Sequence, residues 1–197
     1  MVSPSVLIPR PETAELVHWI VTDNVGATGV RVLDIGTGSG CIPVSLASFM
    51  EKPSVVSWDI SGEALALAGK NAVNNGVEVC FHKVDVLSDN IPDIKVDIIV
   101  SNPPYIVERE KKDMERNVLD WEPELALFVP DDNPLLFYRR IAELGLRLLS
   151  DGGRLYFEIN RNFGSDTVSM LENLGYVDVE LRKDLSGNDR MIKALKS

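Results

Sequence analysis

Histidine, cysteine and basic charge are all scarce in this chain. Its 197 residues include two histidines, two cysteines and 20 Lys plus Arg against 30 Asp plus Glu, for a formal net charge of −10. His18 and His82 each stand alone in the sequence, so neither has a partner with which to build a metal site or a catalytic dyad, and no metal is expected. Cys41 and Cys80 sit among apolar residues without CxxC spacing, which makes both core thiols rather than a disulfide or metal pair, and fits a reducing cytoplasm. No apolar run approaches the roughly 18 to 20 residues a membrane span needs, and no basic region followed by an apolar stretch opens the chain. A soluble cytoplasmic protein without a membrane partner is the expectation. The acidic balance opposes general affinity for a phosphate backbone, so direct nucleic-acid binding is not expected unless a local basic patch exists. The densest charge run, residues 108–116, alternates in sign and reads as a solvated face. What the chain does have is 45% hydrophobic and 25% charged residues, the composition of one globular domain with a sizeable core.

Helical and strand patterns alternate along it. Pro9 and Pro11 precede a helix that begins near Glu12 and carries Leu16, Val17, Ile20 and Val21 on one side. Residues 31–35 form a short apolar strand running into glycines, and a helix over 41–50 follows. Strand 54–60, an Ala-rich helix over 61–74 with Ser61 as N-cap, and strand 77–84 come next. Residues 96–100 are continuously apolar, as in a strand buried on both faces, and end abruptly in Ser101-Asn102-Pro103-Pro104-Tyr105, whose prolines forbid further ladder pairing. A long irregular region runs to about Pro134, followed by a helix through Leu149, a turn at Gly152-Gly153, strand 154–159, helix 166–174 and strands 177–181 and 191–195. Such alternation predicts a Rossmann-like α/β fold: a mostly parallel seven-stranded sheet, helices on both faces, and ligands at the carboxyl ends of the strands. The connection over 184–190 is too short for a crossover helix, so the last strand should pair antiparallel with its predecessor. An otherwise parallel sheet closed by such a hairpin resembles that of class I methyltransferases.

Asp34-Ile35-Gly36-Thr37-Gly38-Ser39-Gly40 lies between a strand and a helix, the context a nucleotide-binding glycine loop requires. Glycine lets the backbone approach a ligand with no Cβ in the way. The dinucleotide pattern G-x-G-x-x-G fails, because Cys41 stands where its last glycine belongs. Asp34 ahead of the glycines would repel a pyrophosphate but suits a ligand carrying an ammonium and a sulfonium, which favours S-adenosyl-L-methionine. Asp59, closing the second strand, is placed to accept hydrogen bonds from both ribose hydroxyls. Asp85 and Val86, after the third strand, can flank the adenine, with the carboxylate accepting from the exocyclic amine.

Asn102-Pro103-Pro104-Tyr105 stands at the carboxyl end of a buried strand, where the reactive end of such a cofactor would lie. The nitrogen of an amide or aromatic amine is planar and a poor nucleophile, because its lone pair is delocalised. Acceptors from the Asn102 side chain and the Pro103 backbone can hold its two N–H bonds, aim it at the methyl group and favour pyramidalisation. Tyr105 can pack against the planar group. The prolines fix φ and hold the acceptors in place at low entropic cost. No strong general base is required, so the lack of a catalytic histidine is no objection.

The pairing of DIGTGSG with SNPPY is shared by amino-methyltransferases acting on glutamine in proteins and on adenine in nucleic acids. Three further stretches, Val6-Leu7-Ile8-Pro9-Arg10-Pro11-Glu12-Thr13, Glu122-Pro123 to Ala126-Leu127, and Lys183-Asp184-Leu185-Ser186-Gly187-Asn188-Asp189-Arg190, resemble the PrmC (HemK) family, the bacterial glutamine methyltransferases of peptide chain release factors. The resemblance covers nearly the whole chain from Val6. It implies methyl transfer from S-adenosyl-L-methionine, leaving S-adenosyl-L-homocysteine, to the glutamine of the Gly-Gly-Gln loop of class I release factors, a modification that assists peptide release. By position it implies that Asp34, Gly36, Thr37, Gly38, Gly40, Asp59, Asp85, Val86 and Asn102 contact cofactor. It makes Asn102, Pro103, Pro104 and Tyr105 the catalytic tetrapeptide, and Pro9, Arg10, Pro11, Glu12 and Thr13 a wall for the substrate with Asn102 and Tyr105. Ala14 departs from the pattern, where another Glu is common, as does Phe128-Val129-Pro130, where glycines are usual, and both put the pocket rim in question. Glu158 lacks the glycine that commonly follows it and receives no role. Two alternatives stay open at this point, an adenine methyltransferase of nucleic acid and a non-catalytic S-adenosylmethionine-binding module.

Residues 1–197 are expected to be one catalytic domain, without the small helical domain that family members carry upstream. If that domain supplies part of the release-factor surface, the chain should bind cofactor normally and its protein substrate weakly. Comparison of catalytic efficiency on intact release factor checks this, and equality with a form that carries the upstream domain would refute it.

Overall fold

A computed structural model of the chain describes residues 1–3, 6–113, 123 and 126–197. Glu122 of the Glu-Pro to Ala-Leu stretch and the end of the charge run, Met114 to Arg116, lie outside the described residues. In chain order the elements are α1 (Pro11–Asp23), β1 (Arg31–Ile35), α2 (Cys41–Phe49), β2 (Ser54–Asp59), α3 (Gly62–Asn74), β3 (Cys80–Lys83), β4 (Val96–Ser101) and β5 (Ile106–Val107). A 3-10 turn (Glu108–Asp113) follows, then β6 (Phe128–Val129), α4 (Leu136–Leu148), β7 (Leu149–Glu158), a second 3-10 turn (Arg161–Phe163), α5 (Gly164–Asn173), β8 (Tyr176–Lys183) and β9 (Asp189–Lys196).

The architecture is the expected one, a seven-stranded sheet in the order β3-β2-β1-β4-β7-β9-β8. All its neighbours pair parallel except β9, which runs antiparallel to both β7 and β8. The closing hairpin is thus as predicted, and the last strand returns inside β8 rather than beyond it. Side-chain alternation sorts the two helix layers. Leu33, Ile35, Ile99, Leu155, Phe157 and Ile192 pack with Tyr138, Ile141 and Leu148 of α4 and Met170 and Leu171 of α5. Their sequence neighbours Val32, Ile98, Val100, Tyr156 and Met191 face Leu16, Trp19 and Ile20 of α1 and Ile42 and Leu46 of α2. Burying one such side chain contributes about 1.5–3 kcal/mol, so a strand apolar at every position is held from both sides.

Helix starts follow local chemistry. Proline stands at the first turn of α1, where its missing N–H is not needed. Ser61 caps α3 by accepting from Ala64 N at 3.2 Å.

Several expectations change. Strand β3 begins at Cys80 rather than Val77, because at the sheet edge only β2 is present to pair with it. Cys80 is consequently exposed and is not the core thiol anticipated, whereas Cys41, at the start of α2, is half-buried and packs against the core. The Gly152-Gly153 turn lies inside β7, whose pairing with β4 steps from Val96↔Leu149 to Ile98↔Arg154 while residues 150–153 bulge out. The region after Tyr105 is not wholly irregular: β5 and β6 form a small parallel pair, and Ile106 N donates to Leu127 O at 2.9 Å. Phe128-Val129, which breaks the family pattern, is the strand that makes this pair, with Val129 1% exposed.

Gly40 illustrates how tightly the glycine loop is packed. At φ 82° it caps α2, and a Cβ there would stand 2.8 Å from Ala68 Cβ on α3. Gly40→Ala combines positive-φ strain with a clash against a side chain that cannot swing away. It is expected to lower stability by about 1–3 kcal/mol in a urea titration; an unchanged midpoint would show that α3 can withdraw.

Candidate active site

The topological switch of the sheet falls between β1 and β4, whose carboxyl ends open a crevice. Ser101 Oγ, buried at the end of β4, donates to Ile35 O at 2.6 Å and fixes the two ends together. The glycine loop is held from the other side, since Trp58 O on β2 accepts from both Gly36 N at 2.8 Å and Thr37 N at 3.2 Å. Gly36 and Gly38, at φ 83° and 53°, adopt left-handed backbone that a side chain would strain. The result is a cleft of about 270 Å³ at the strand ends.

Most of the predicted residues meet there. Gly36, Thr37, Gly38, Asp59, Asp85 and Val86 line one part of the cleft, and Asn102, Pro103, Pro104, Pro9 and Thr13 line another. Asp59 is held by two backbone groups, with Oδ2 accepting from Gly38 N at 2.9 Å and Oδ1 from Ser61 N at 2.8 Å. Each oxygen keeps a lone pair, so a diol remains within its capacity. Asp85 Oδ1 accepts from Leu87 N at 2.9 Å, which leaves Oδ2 for a ligand donor. The loop carrying Asp85 is fastened from α4, where Arg140 donates through Nε to Val86 O at 2.8 Å and through Nη2 to Ser88 O at 2.7 Å.

Other predicted residues stand off the cleft wall. Gly40 serves the contact with Ala68 described above. Arg10, Pro11 and Glu12 lie beyond the wall that Pro9 and Thr13 form. Tyr105 turns its hydroxyl toward Glu158 Oε1, 3.3 Å away, instead of lining the cleft. Asp34 is fully buried behind the glycine loop, where Oδ2 accepts from Ser57 Oγ at 2.6 Å and Ser57 Oγ also meets Thr37 Oγ1 at 2.5 Å. Its Oδ1 is buried with no hydrogen-bond partner among the described residues. Burial pushes the Asp34 carboxyl up to about 7, the nearby Asp59 charge adds to this, and the Ser57 hydrogen bond opposes it. A buried carboxyl with one oxygen left over would be stabilised as an anion by a ligand that brings positive charge into the adjacent cleft.

Sequence reasoning missed Glu158. It is 1% exposed at the end of β7, and its Oε2 accepts from Thr13 Oγ1 at 2.6 Å. An acid closing a run of apolar strand residues was the available signal, since a buried carboxylate at a strand's carboxyl end requires partners. Phe137 and Ile141 of α4 also reach the cleft, a placement that depends on tertiary packing. Among the described residues no helix is long and apolar enough to cross a membrane.

Comparison with known proteins bears on this geometry. The family model described as Methyltransferase small domain matches residues 13–120. A release factor glutamine methyltransferase of Bacteroides thetaiotaomicron is 58% identical over 194 residues, which are 98% of this chain and 69% of that protein. One of Flavobacterium psychrophilum is 51% identical over 195 residues, 98% of this chain and 68% of its own length. Among solved structures, a methyltransferase from Pyrococcus furiosus superposes with a TM-score of 0.67 at 16% identity, covering 97% of this chain and 88% of that one, and so shares the fold.

The Asp34 carboxyl gives a pH prediction. Its unfolded value is near 3.8 and its folded value about 7, so the folded state holds an extra proton between them. Its contribution to stability is whole below the lower value and is lost as pH rises through the upper one. Asp34→Asn removes that loss, on the order of 4 kcal/mol at most for ~3 pKa units. In the absence of ligand its Tm should exceed the wild type's at pH 8 and approach it near pH 4; a constant difference across that range would mean Asp34 ionises normally.

Proposed function

The chain belongs to the release factor glutamine methyltransferase family, and from that premise we propose that it methylates the side-chain amide nitrogen of the glutamine in the Gly-Gly-Gln loop of class I peptide chain release factors. The observation that carries the reading is that Asn102, Pro103 and Pro104 share one cleft with the glycine loop, Asp59 and Asp85. Residues suited to a nucleoside and residues suited to a planar amide thereby face a common space.

S-adenosyl-L-methionine, when bound, supplies an electrophilic methyl group on a positively charged sulfur, and S-adenosyl-L-homocysteine remains. Asp59 would hold the ribose, Asp85 and Val86 the adenine, and Gly36 to Gly38 the approach of the methionine portion, with Asp34 countering its positive charge from behind. Asn102 Oδ1 and the Pro103 carbonyl accept the two N–H bonds of the glutamine amide. Both are acceptors, so they orient the nitrogen and disfavour its conjugation with the neighbouring carbonyl. Fixing these dipoles before the reaction is what lowers the barrier. The nitrogen exchanges one hydrogen for the methyl group and its proton passes to water, so no strong base is needed. His18 and His82 are both exposed and off the cleft, in keeping with that.

The direct test is transfer of labelled methyl from S-adenosyl-L-methionine to recombinant class I release factor. A Gln→Ala substitution in the Gly-Gly-Gln loop serves as control and DNA as competing acceptor. Label on the intact factor alone supports the reading, whereas label on DNA alone overturns it. Asn102→Ala should slow transfer by about 10²-fold with little change in cofactor affinity. Asp59→Ala should act in the opposite sense, weakening cofactor binding first; an unchanged dissociation constant would remove Asp59 from the cofactor site.

A further inference from the structure

A hydrogen-bond chain, buried at its centre, reaches the Asn102–Tyr105 tetrapeptide from behind. Glu158 accepts from Thr13 Oγ1 at 2.6 Å and from Tyr105 Oη at 3.3 Å, one partner on each carboxylate oxygen. Thr13 Oγ1 in turn lies 3.5 Å from Asn102 Nδ2, at the long end of the hydrogen-bonding range. A hydroxyl carries one proton. With that proton committed to the carboxylate at the shorter distance, Thr13 can meet Asn102 only as an acceptor. Asn102 must then give Thr13 its amino group and present its carbonyl oxygen on the other side. The two ends of an amide are nearly equal in size, so packing does not choose between them and hydrogen-bond polarity does.

Building on the glutamine-acceptor reading above, we propose that Glu158 and Thr13 are positioning residues that fix which end of the Asn102 amide faces the substrate. With the carbonyl oxygen forward, Asn102 accepts a glutamine N–H. With the amide turned over, two N–H groups confront each other and the nitrogen is not held. The tetrapeptide is anchored at its far end too, because Asn160 Nδ2 donates to Tyr105 O at 3.1 Å. That anchor leaves the Asn102 amide able to turn, and the Glu158–Thr13 pair biases it to one orientation.

Protonation of Glu158 would undo this, because a carboxylic acid can donate to Thr13 and free the threonine proton to point at Asn102. The groups facing Glu158 are Glu12 on α1, Cys41 on α2, Tyr105, Tyr138 on α4 and Arg190 on β9. Burial raises the Glu158 carboxyl above its ordinary value and Glu12 adds to this, while Thr13, Arg190 and Tyr105 oppose. Turnover should therefore fall on the acid side as pH drops through the Glu158 pKa.

Three variants test the proposal. Thr13→Val keeps the shape and removes the hydroxyl, and is expected to lower kcat by about tenfold or more, with KM for release factor and affinity for S-adenosyl-L-homocysteine each within about twofold of wild type. Thr13→Ser restores the hydroxyl and should recover kcat to within about threefold. Glu158→Gln should lower kcat and abolish the acid limb of its pH profile. Side-chain amide NMR gives a readout that does not need turnover: one Asn102 Nδ2 proton should exchange slowly in the wild type and in Thr13→Ser, and rapidly in Thr13→Val. Wild-type kcat in Thr13→Val, unchanged Asn102 exchange, or a loss of cofactor affinity that parallels the loss of rate would each overturn the proposal. A wild-type chain that leaves release factor unlabelled refutes the function instead, and the exchange measurement still decides the role of Thr13.

Discussion

Ser101 donates its hydroxyl to the carbonyl of Ile35 at 2.6 Å, in a buried position where the last residues of β4 and β1 lie side by side. The glycine loop leaves one of these strands and Asn102-Pro103-Pro104-Tyr105 leaves the other, so this bond sets the distance between the two halves of the site. The sheet has its order reversal here, with β2 beyond β1 on one side and β7 beyond β4 on the other. Chain leaving the two strands therefore diverges and leaves a crevice. The hydrophobic layers on both faces make the strands rigid, and a rigid edge is what allows two short loops to hold polar atoms at fixed separation.

Two buried acids sit on either side of this junction and are handled differently. Asp34 keeps one oxygen on Ser57 and one without a partner among the described residues, and its carboxyl is pushed up to about 7. Glu158 has a hydroxyl donor on each oxygen and the Arg190 charge close by. The first is incomplete in the protein alone and suits a ligand that brings positive charge. The second is complete without a ligand and suits the fixing of neighbouring groups. Burying an acid costs stability in either case, and the cost is met only where partners or ligand return hydrogen bonds. Their placement next to the cleft, rather than elsewhere in the core, is where such a cost has a chemical use.

The features legible in the sequence were those written into adjacent residues. Gly36 and Gly38 announce left-handed backbone, Pro103 and Pro104 announce the end of β4, and Ser61 announces a helix start, each through its own φ or side-chain chemistry. The alternation of strands and helices gave the sheet and its crevice because connection lengths restrict topology. What escaped was pairing between distant positions. Thr13 and Glu158 are 145 residues apart, and nothing local to either names the other. Ser57 looked like an ordinary strand residue until β2 set it opposite Asp34. Cys80 looked like core because its neighbours are apolar, yet an edge strand exposes one side of them. The return of β9 between β7 and β8 was equally invisible, since a short connection fixes the direction of a strand but not which side of its predecessor it takes.

The same geometry explains why the acceptor should be an amide and not an amine. Two carbonyl acceptors would bind a lysine ammonium more strongly than a neutral amide, because the hydrogen bonds would be charge-assisted. An ammonium nitrogen has no lone pair, however, so holding it there leads to no reaction unless a base first takes a proton. Neither histidine lines the cleft, Glu158 is spent on Thr13 and Tyr105, and the cleft carboxylates Asp59 and Asp85 already accept from backbone N–H groups. An amide nitrogen arrives neutral and lacks only a lone pair free of conjugation, which acceptors on its N–H bonds can favour. An amide held by two such acceptors needs no base to become reactive, whereas an ammonium would need one.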